Sequence, residues 1–371
     1  MEKTNLQNES FISNESGFAA EESSVANAAF SGEDNSKYLN KKGEDIRLKS
    51  VSYSKYGYIF IAPFFLAFII FQLYPIIYSL AISLTDLSYA TDFAGTSQFI
   101  AFENYAFIFH HAAFWSSLVN TILIWSINFV PQLVAAYLFA AIFSSAMFKI
   151  KGTGAFKVIY YLPNIITATS VALLFKQMGE KSGILWDTMK SVGLINDAWS
   201  FGTANPINAR VYIAFIQFWR YFGYTMITLV AGMLGINPTY YEAATIDGAG
   251  RVKMFFSITI PLLKPITLYT LVTSLVGGLQ MFEIPFLMYD GKPTAHNGSL
   301  TTFTVACYIY NLAFPSNGEY HYGRAGAASG YLFIISAILS FITFKFFGKE
   351  AFGIDKPDKE KKKKLKTAKG V

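Results

Sequence analysis

The sequence predicts an all-α membrane protein with six transmembrane helices, and two observations carry that prediction. Hydrophobic residues make up 53% of the 371 positions, and residues 56–344 contain only 24 charged side chains, whereas about a quarter of the residues in a soluble domain are charged. Apolar stretches recur through the same region, and several reach the roughly 20 residues that an α-helix needs to cross hydrocarbon. The composition therefore excludes a chain of soluble domains, and a single cysteine, Cys307, excludes a disulfide framework.

Residues 1–55 are predicted to form a disordered cytoplasmic tail. They are rich in Ser, Asn, Glu and Gly, and such a segment has too few large apolar groups to offset the entropy lost on ordering. No apolar stretch follows a basic start within the usual length of a signal peptide, so the segment does not resemble a secretion signal. The transmembrane domain is expected to occupy residues 56–348.

Six apolar segments within that domain are long enough to cross a membrane. Several contain Pro or Gly, which membrane helices tolerate where neighbouring helices satisfy the freed carbonyl groups. An even number of crossings places both termini on the same side. We expect the spans at 57–83, 114–143, 158–178, 209–234, 265–289 and 325–347.

The distribution of Lys and Arg predicts that both termini are cytoplasmic. In that orientation the tails and inner loops hold 23 basic residues and the outer loops four, as the positive-inside rule requires. The net charge of +6 belongs to residues 345–371 and not to a basic face, so nucleic-acid binding is not indicated. The polybasic cytoplasmic tail at 349–371 instead predicts contact with anionic lipids of the bilayer.

One predicted inner loop, residues 235–264, has a pattern of its own. Asn237 or Thr239 is placed to cap a short helix ending near Asp247, and Gly248 supplies the left-handed residue that commonly ends a helix. A second short helix is expected from about Arg251 to Thr259. Two small helices joined at a glycine would form a projecting knob.

The same loop carries a motif at fixed spacing: Glu-Ala-Ala, three residues, Gly, nine residues, Ile, one residue, an aliphatic residue and Pro. This motif resembles the signature of binding-protein-dependent ABC transporter permeases, and its flanking sequences resemble the carbohydrate-uptake class, similar to the larger maltose-type permease subunit. The resemblance covers residues 57–348 and implies a type I ABC importer permease fold in a prokaryotic plasma or inner membrane. Here the motif is Glu242, Ala243, Ala244, Gly248, Ile258, Ile260 and Pro261.

The resemblance implies that the loop is a coupling helix that docks on an ATPase. Glu242 would make the polar contact and Gly248 the turn, while Arg251 and Lys253 would face acidic groups of the partner. The implied partners are a second homologous permease subunit, a cytoplasmic ATPase dimer and an extracellular or periplasmic solute-binding protein. The candidate coupling residues are Glu242, Ala243, Ala244, Asp247, Gly248, Arg251, Lys253, Ile258 and Pro261.

ATP is expected to bind the partner ATPase and not this chain. No Gly-x-x-x-x-Gly-Lys-[Ser/Thr] sequence occurs, so the phosphate-binding loop of ATPases is missing. The four histidines are not at metal-ligand spacing. No cofactor, metal site or enzymatic activity is predicted.

The substrate pathway is predicted from polar and aromatic residues in the fourth and fifth spans, where polar groups are costly unless they pair or line a cavity. By resemblance, sugar contacts fall in these stretches, although Phe218, Gly278 and Met281 stand where polar amides are expected. Arg220 and Glu283 are also suited to form a structural ion pair. The candidates are Trp219, Arg220, Tyr224, Ser274, Gln280 and Glu283.

Three alternatives remain open from the sequence. A permease for glycerol-phosphate or another small polyol would use Arg220 as the anion partner. An ion-coupled secondary transporter would need intramembrane carboxylates, for which Glu283 is slight support, and internal inverted repeats, which we do not find. A membrane-embedded enzyme would need paired carboxylates or a metal constellation.

Overall fold

The computed structural model describes residues 38–39, 45–46, 54–144, 151–196, 201, 206–289, 301–315 and 318–351. They belong to two compact units, 1–73 and 74–371. Most of the predicted tail at 1–55, and residues 352–371 of the polybasic tail, lie outside the described residues. Both tail assignments therefore stay predictions.

The first unit contains two short strands and the first helix. Strands β1 (Tyr38–Leu39) and β2 (Asp45–Ile46) pair antiparallel. Helix α1 (Ser54–Phe68) continues as a π-helical segment, Ile69–Leu73. The large apolar side chains of this helix are exposed, as expected of a surface that faces lipid.

The second unit is built mainly of helices, with one isolated antiparallel bridge between Thr85 and Phe99 among its described residues. Three of its elements belong to the loop that carries the spaced motif, and a second π-helical segment, Phe255–Thr259, lies among them. In chain order the helices are α2 (Tyr74–Ile82), α3 (Tyr89–Ala94), α4 (Glu103–His110), α5 (Ala112–Phe143), α6 (Thr153–Ile165), α7 (Ala168–Gly179), α8 (Ile184–Ser191), α9 (Pro206–Leu234), α10 (Thr239–Ile246), α11 (Arg251–Met254), α12 (Ile260–Leu262), α13 (Lys264–Leu279), α14 (Glu283–Tyr289), α15 (Val305–Ala313) and α16 (Tyr322–Ala351).

Helix covers most of each of the six predicted spans. Within the described part of the chain, length and hydropathy mark four stretches as candidate membrane spans, and a fifth follows if α6 and α7 count as one broken span. Helix α9 has 29 residues, or about 43 Å at 1.5 Å per residue, but Arg210 and Arg220 lower its hydropathy. The four candidates are Tyr56–Ile82, Ala112–Phe143, Lys264–Tyr289 and Tyr322–Gly348.

Two predicted spans need correction. The span at 265–289 is interrupted at residues 280–282, between α13 and α14, and the span at 158–178 is not one continuous helix. Helices α6 and α7 meet at an angle of 91°. Ile166 and Thr167 are both extended, and the Thr167 side chain accepts a hydrogen bond from the backbone N–H of Ser170. The hydroxyl thus caps α7, and the new helix starts in a new direction.

Helix α5 is the central element of the second unit. It contributes buried residues to three apolar clusters: Leu118 to one, Ile124 to another and Ala136 to the third. Its contacts with α9 are the most extensive between any two helices of the described residues. These two helices and α13 frame the candidate site.

The segment before α15 is held in place by polar contacts from α5 and α9. The Arg210 guanidinium donates to the carbonyl oxygen of Thr301 (2.9 Å) and to Asn120 Oδ1 (2.6 Å). Thr121 Oγ1 accepts from the backbone N–H of Val305 (3.0 Å). The Arg210 guanidinium, a charged group within a predicted span, is thereby hydrogen-bonded inside the protein, as such groups usually are.

Candidate functional site

A cavity of about 750 Å³ opens between the long helices of the second unit, a size typical of small-molecule sites. Its wall combines amide, hydroxyl and aromatic side chains from five helices. The described residues that line it are Trp125, Asn128, Gln132, Asn164, Gln217, Arg220, Tyr221, Tyr224, Thr225, Tyr269, Thr270, Thr273, Ser274, Gly277, Gly278, Gln280, Met281, Phe282, Glu283 and Ile284.

Most of the predicted pathway residues meet at this cavity. Arg220 and Tyr224 come from α9, and Ser274 comes from α13. Gln280 lies in the short break after α13, and Glu283 is the first residue of α14. The fourth and fifth spans therefore do form one polar wall.

Trp219 is the predicted pathway residue that the structure places elsewhere. It does not line the cavity, and its indole packs edge-on against Phe175 of α7, with ring centroids 5.3 Å apart. Successive side chains on a helix point about 100° apart. Arg220 therefore faces the cavity, while Trp219 packs against an apolar cluster.

Several buried polar atoms on the cavity wall have no partner among the described residues. Asn128 Oδ1, Gln132 Oε1, Gln217 Oε1 and Arg220 Nε make no hydrogen bond there. A buried polar atom without a partner costs about 1–3 kcal/mol, so these groups indicate a site that water or a ligand occupies.

Arg220 and Glu283 face each other across the wall. The closest distance between the guanidinium and the carboxylate is 3.8 Å, and the side chains are 9% and 64% exposed, respectively. The guanidinium also lies 5.3 Å from the centre of the Tyr221 ring. The two charges lie in one site, where they form an ion pair on the cavity wall; the role of either residue in the substrate pathway stays a prediction.

Trp125 explains why Gly278 occupies a position where an amide was expected. The Trp125 indole N–H donates to Ser274 Oγ (3.1 Å), and the ring stacks on Phe129 at 12° with centroids 5.3 Å apart. A Cβ atom at Gly278 would lie 2.7 Å from Trp125 Cγ. The missing side chain leaves room for the indole.

The cavity residues from the second span were not predicted from the sequence. Asn128 and Gln132 lie four positions apart on α5, and Trp125 precedes Asn128 by three, so all three share one helix face. Two amides at helical spacing in the apolar second half of this span are a detectable signal. Asn164 of α6, next to Pro163, has no such pattern around it.

The loop after α9 has the predicted form. Helix α10 begins where Asn237 Oδ1 accepts from the backbone N–H of Thr239 (3.0 Å), and it ends before Gly248, whose φ of 75° is left-handed. Helix α11 then leads into the second π-helical segment. Tyr241 of α10 hydrogen-bonds through its hydroxyl to Thr259 Oγ1 (2.9 Å), which joins the two helices of the loop.

The exposed face of this loop mixes charged and apolar groups. Ile246 is 86% exposed and Val252 is 69% exposed, so apolar side chains are accessible on the surface of the loop. Most of the candidate coupling residues are exposed as well, whereas Ala244 and Ile258 are half-buried. The exposed members are Glu242, Ala243, Asp247, Gly248, Arg251, Lys253 and Pro261.

Comparison with known proteins places the chain in a family. Residues 138–349 match the model described as "Binding-protein-dependent transport system inner membrane component". The chain belongs to this family. The matched region contains the loop and the cavity residues of α6, α9, α13 and α14, whereas the α5 residues precede it.

Curated relatives of this transport component are permease proteins of similar length. The lactose transport system permease protein of Rhizobium radiobacter is 32% identical over 293 residues, which are 79% of this chain and 94% of the relative. The arabinooligosaccharides transport system permease protein of Bacillus subtilis (strain 168) is 30% identical, over 81% of this chain and 91% of the relative. The trehalose/maltose transport system permease protein of Thermococcus litoralis is 26% identical, over 78% and 93%.

A solved structure confirms the fold of the transport component. A chain of a bacterial ABC transporter that imports the acidic polysaccharide alginate superimposes with a TM-score of 0.67, at 23% sequence identity, over 81% of this chain and 98% of that one. The predicted type I ABC importer permease fold is thereby confirmed. The protein is an ABC importer permease of the inner membrane and not an enzyme.

Proposed function

We propose that this permease carries a sugar, in particular an oligosaccharide, through the cavity between α5, α9 and α13. The wall is the observation that carries the proposal: buried amide oxygens without partners stand beside Trp125 and Tyr224. Sugar hydroxyls donate hydrogen bonds to such oxygens, and aromatic faces pack on sugar C–H groups. The names of the relatives, for lactose, arabinooligosaccharides and trehalose/maltose, support a sugar as cargo.

The permease works with three kinds of partner in this proposal. A solute-binding protein delivers the sugar from outside; a second solved structure, of a bacterial alginate ABC transporter in complex with an alginate-bound periplasmic protein, supports this by analogy. A second homologous permease completes the pathway, and a cytoplasmic ATPase dimer binds ATP. Both termini are cytoplasmic, so the loop of α10 and α11 faces the ATPase.

The loop would transmit force through its joined helices. Exposed Ile246 and Val252 provide an apolar contact, and Glu242 provides a charged one. Because Tyr241 bonds to Thr259, movement of α10 would pass into the π-helical segment and on to α13, which lines the cavity. Closure of the ATPases would thus rearrange the cavity wall.

The test is uptake by proteoliposomes that contain the complete transporter, together with co-purification of the ATPase. Glu242→Gln removes the charge, and Gly248→Ala forces a left-handed alanine at a cost of about 1–2 kcal/mol. Both variants should lose ATPase association and uptake. Gly154→Ala is the matched control, because a Cβ there meets nothing within 4 Å. Unchanged association and uptake in both variants would contradict the proposed coupling.

A further inference from the structure

We infer that the cavity selects an uncharged, hydroxyl-rich sugar and that Glu283 sets this selectivity by neutralising Arg220. The inference rests on the proposed function and adds to it the charge class of the cargo. It decides against glycerol-phosphate, for which a free Arg220 guanidinium would be the anion partner, and against an acidic saccharide. Glu283 is thereby assigned as a specificity-determining residue.

The unpartnered atoms on the wall favour a ligand that donates hydrogen bonds. Three of the four are amide oxygens: Asn128 Oδ1, Gln132 Oε1 and Gln217 Oε1. For Gln132 the orientation is fixed by its surroundings, because its NH₂ group donates to the carbonyl oxygen of Tyr221 (3.4 Å), which can only accept. Hydroxyl groups donate to such oxygens, whereas carboxylate and phosphate oxygens only accept.

The charges on the wall point the same way. Arg220 and Glu283 are the two formally charged side chains among the described residues that line the cavity, so their charges cancel. The buried guanidinium would otherwise be a strong site for a carboxylate or phosphate, which arginine binds in preference to other groups. Glu283 already lies beside the guanidinium as its counter-ion, at a closest distance of 3.8 Å.

The accessible charge of the pair is the negative one. The Glu283 side chain is much more exposed than that of Arg220, so an anion that enters the cavity meets a carboxylate before it reaches the guanidinium. Like charges at close range repel strongly where the protein lowers the effective dielectric constant. A neutral sugar meets no such barrier and still finds Arg220 Nε as a donor for a hydroxyl oxygen.

The experiment measures binding to the purified transporter in nanodiscs, without its solute-binding protein, so that the permease alone determines selectivity. The probes are neutral maltotriose, raffinose and arabinotriose, and anionic trigalacturonate, each tested by displacement of the best-binding labelled neutral sugar. Wild-type transporter should prefer the neutral sugar by tenfold or more. Glu283→Gln should reduce that preference by about tenfold, a change of about 1.4 kcal/mol, mainly by strengthening trigalacturonate binding.

Two further variants separate selectivity from structural damage. The double substitution Arg220→Gln with Glu283→Gln should restore discrimination against trigalacturonate, because no unpaired cation remains. Glu180→Gln removes an exposed carboxylate at the end of α7, away from the cavity, and should leave all affinities unchanged. A purely structural ion pair would instead make Glu283→Gln weaken both sugars equally.

Each other outcome overturns the inference in a recognisable way. Equal binding of trigalacturonate and the neutral sugar to wild-type transporter, or an unchanged preference in Glu283→Gln, refutes the charge selection while sugar transport stands. If no neutral sugar binds and the complete system with its solute-binding protein also takes up none, the proposed function fails as well.

Discussion

Replacing Gly278 with alanine should disturb the cavity, whereas the same replacement at Gly277 should not. The two glycines are neighbours on α13, and both line the cavity. A Cβ atom at Gly277 meets nothing within 4 Å, but one at Gly278 would lie 2.7 Å from Trp125 Cγ and 3.0 Å from its Nε1. The pair thus isolates one packing contact.

The indole cannot move aside freely, because it stacks on Phe129 and donates to Ser274. Overpacking of this kind costs about 1–3 kcal/mol, and a lost hydrogen bond adds about 0.5–1.5 kcal/mol. Alanine is favoured over glycine in a helix by about 1 kcal/mol. We expect Gly278→Ala to lower the free energy of unfolding by about 2 kcal/mol and Gly277→Ala to raise it slightly.

The assay is the apparent melting temperature of the purified protein, followed by sugar uptake in proteoliposomes. Gly278→Ala should melt below wild type, since a loss of unfolding free energy lowers the melting temperature in proportion, and its uptake should fall. Gly277→Ala should match or exceed wild type in stability. Identical melting temperatures for the two variants would refute the placement of Trp125 against α13.

Three further substitutions each crowd or remove one contact that the structure shows. Gly223→Ala places a Cβ on the backbone of α6, which cannot yield, so it should reduce the yield of folded protein, measured by size exclusion, while Gly154→Ala on α6 itself should not. Arg210→Met breaks the hydrogen bond to Thr301 and should speed hydrogen exchange of the segment before α15, whereas exchange elsewhere stays constant. Tyr241→Phe removes the bond that joins the two loop helices and should lower the sugar transported per ATP hydrolysed; an unchanged ratio would exclude that bond from coupling.

Apolar segments in the sequence were sufficient to place the long helices, because a membrane requires long apolar segments whose backbone groups are satisfied internally. They indicated α9 as well, although Arg210 and Arg220 lower its hydropathy and it is not among the four stretches that hydropathy alone marks. The same pattern could not locate the break at Ile166 and Thr167, because two extended residues do not change the apolar content of a segment. A Thr followed three positions later by Ser was the available cue, and it is too common to decide alone.

The candidate site was predictable only in part. The local loop was predictable because the cap at Asn237 and the turn at Gly248 depend on neighbouring residues alone. The cavity depends on which face of each helix turns inward, and packing between helices decides this. Arg220 therefore lines the cavity while adjacent Trp219 does not. The ring of Trp125 on α5 fills the space beside Gly278, where an amide side chain was expected.

Protection of one introduced thiol tests most directly whether sugar occupies the cavity. The natural Cys307 is buried, so a maleimide should report only an added cysteine. Gly277→Cys projects into open space in the cavity, and Ser329→Cys lies in a separate hollow beside α16. An oligosaccharide that is taken up should slow labelling of Gly277→Cys and leave labelling of Ser329→Cys unchanged; equal labelling rates with and without sugar at Gly277→Cys would contradict the account.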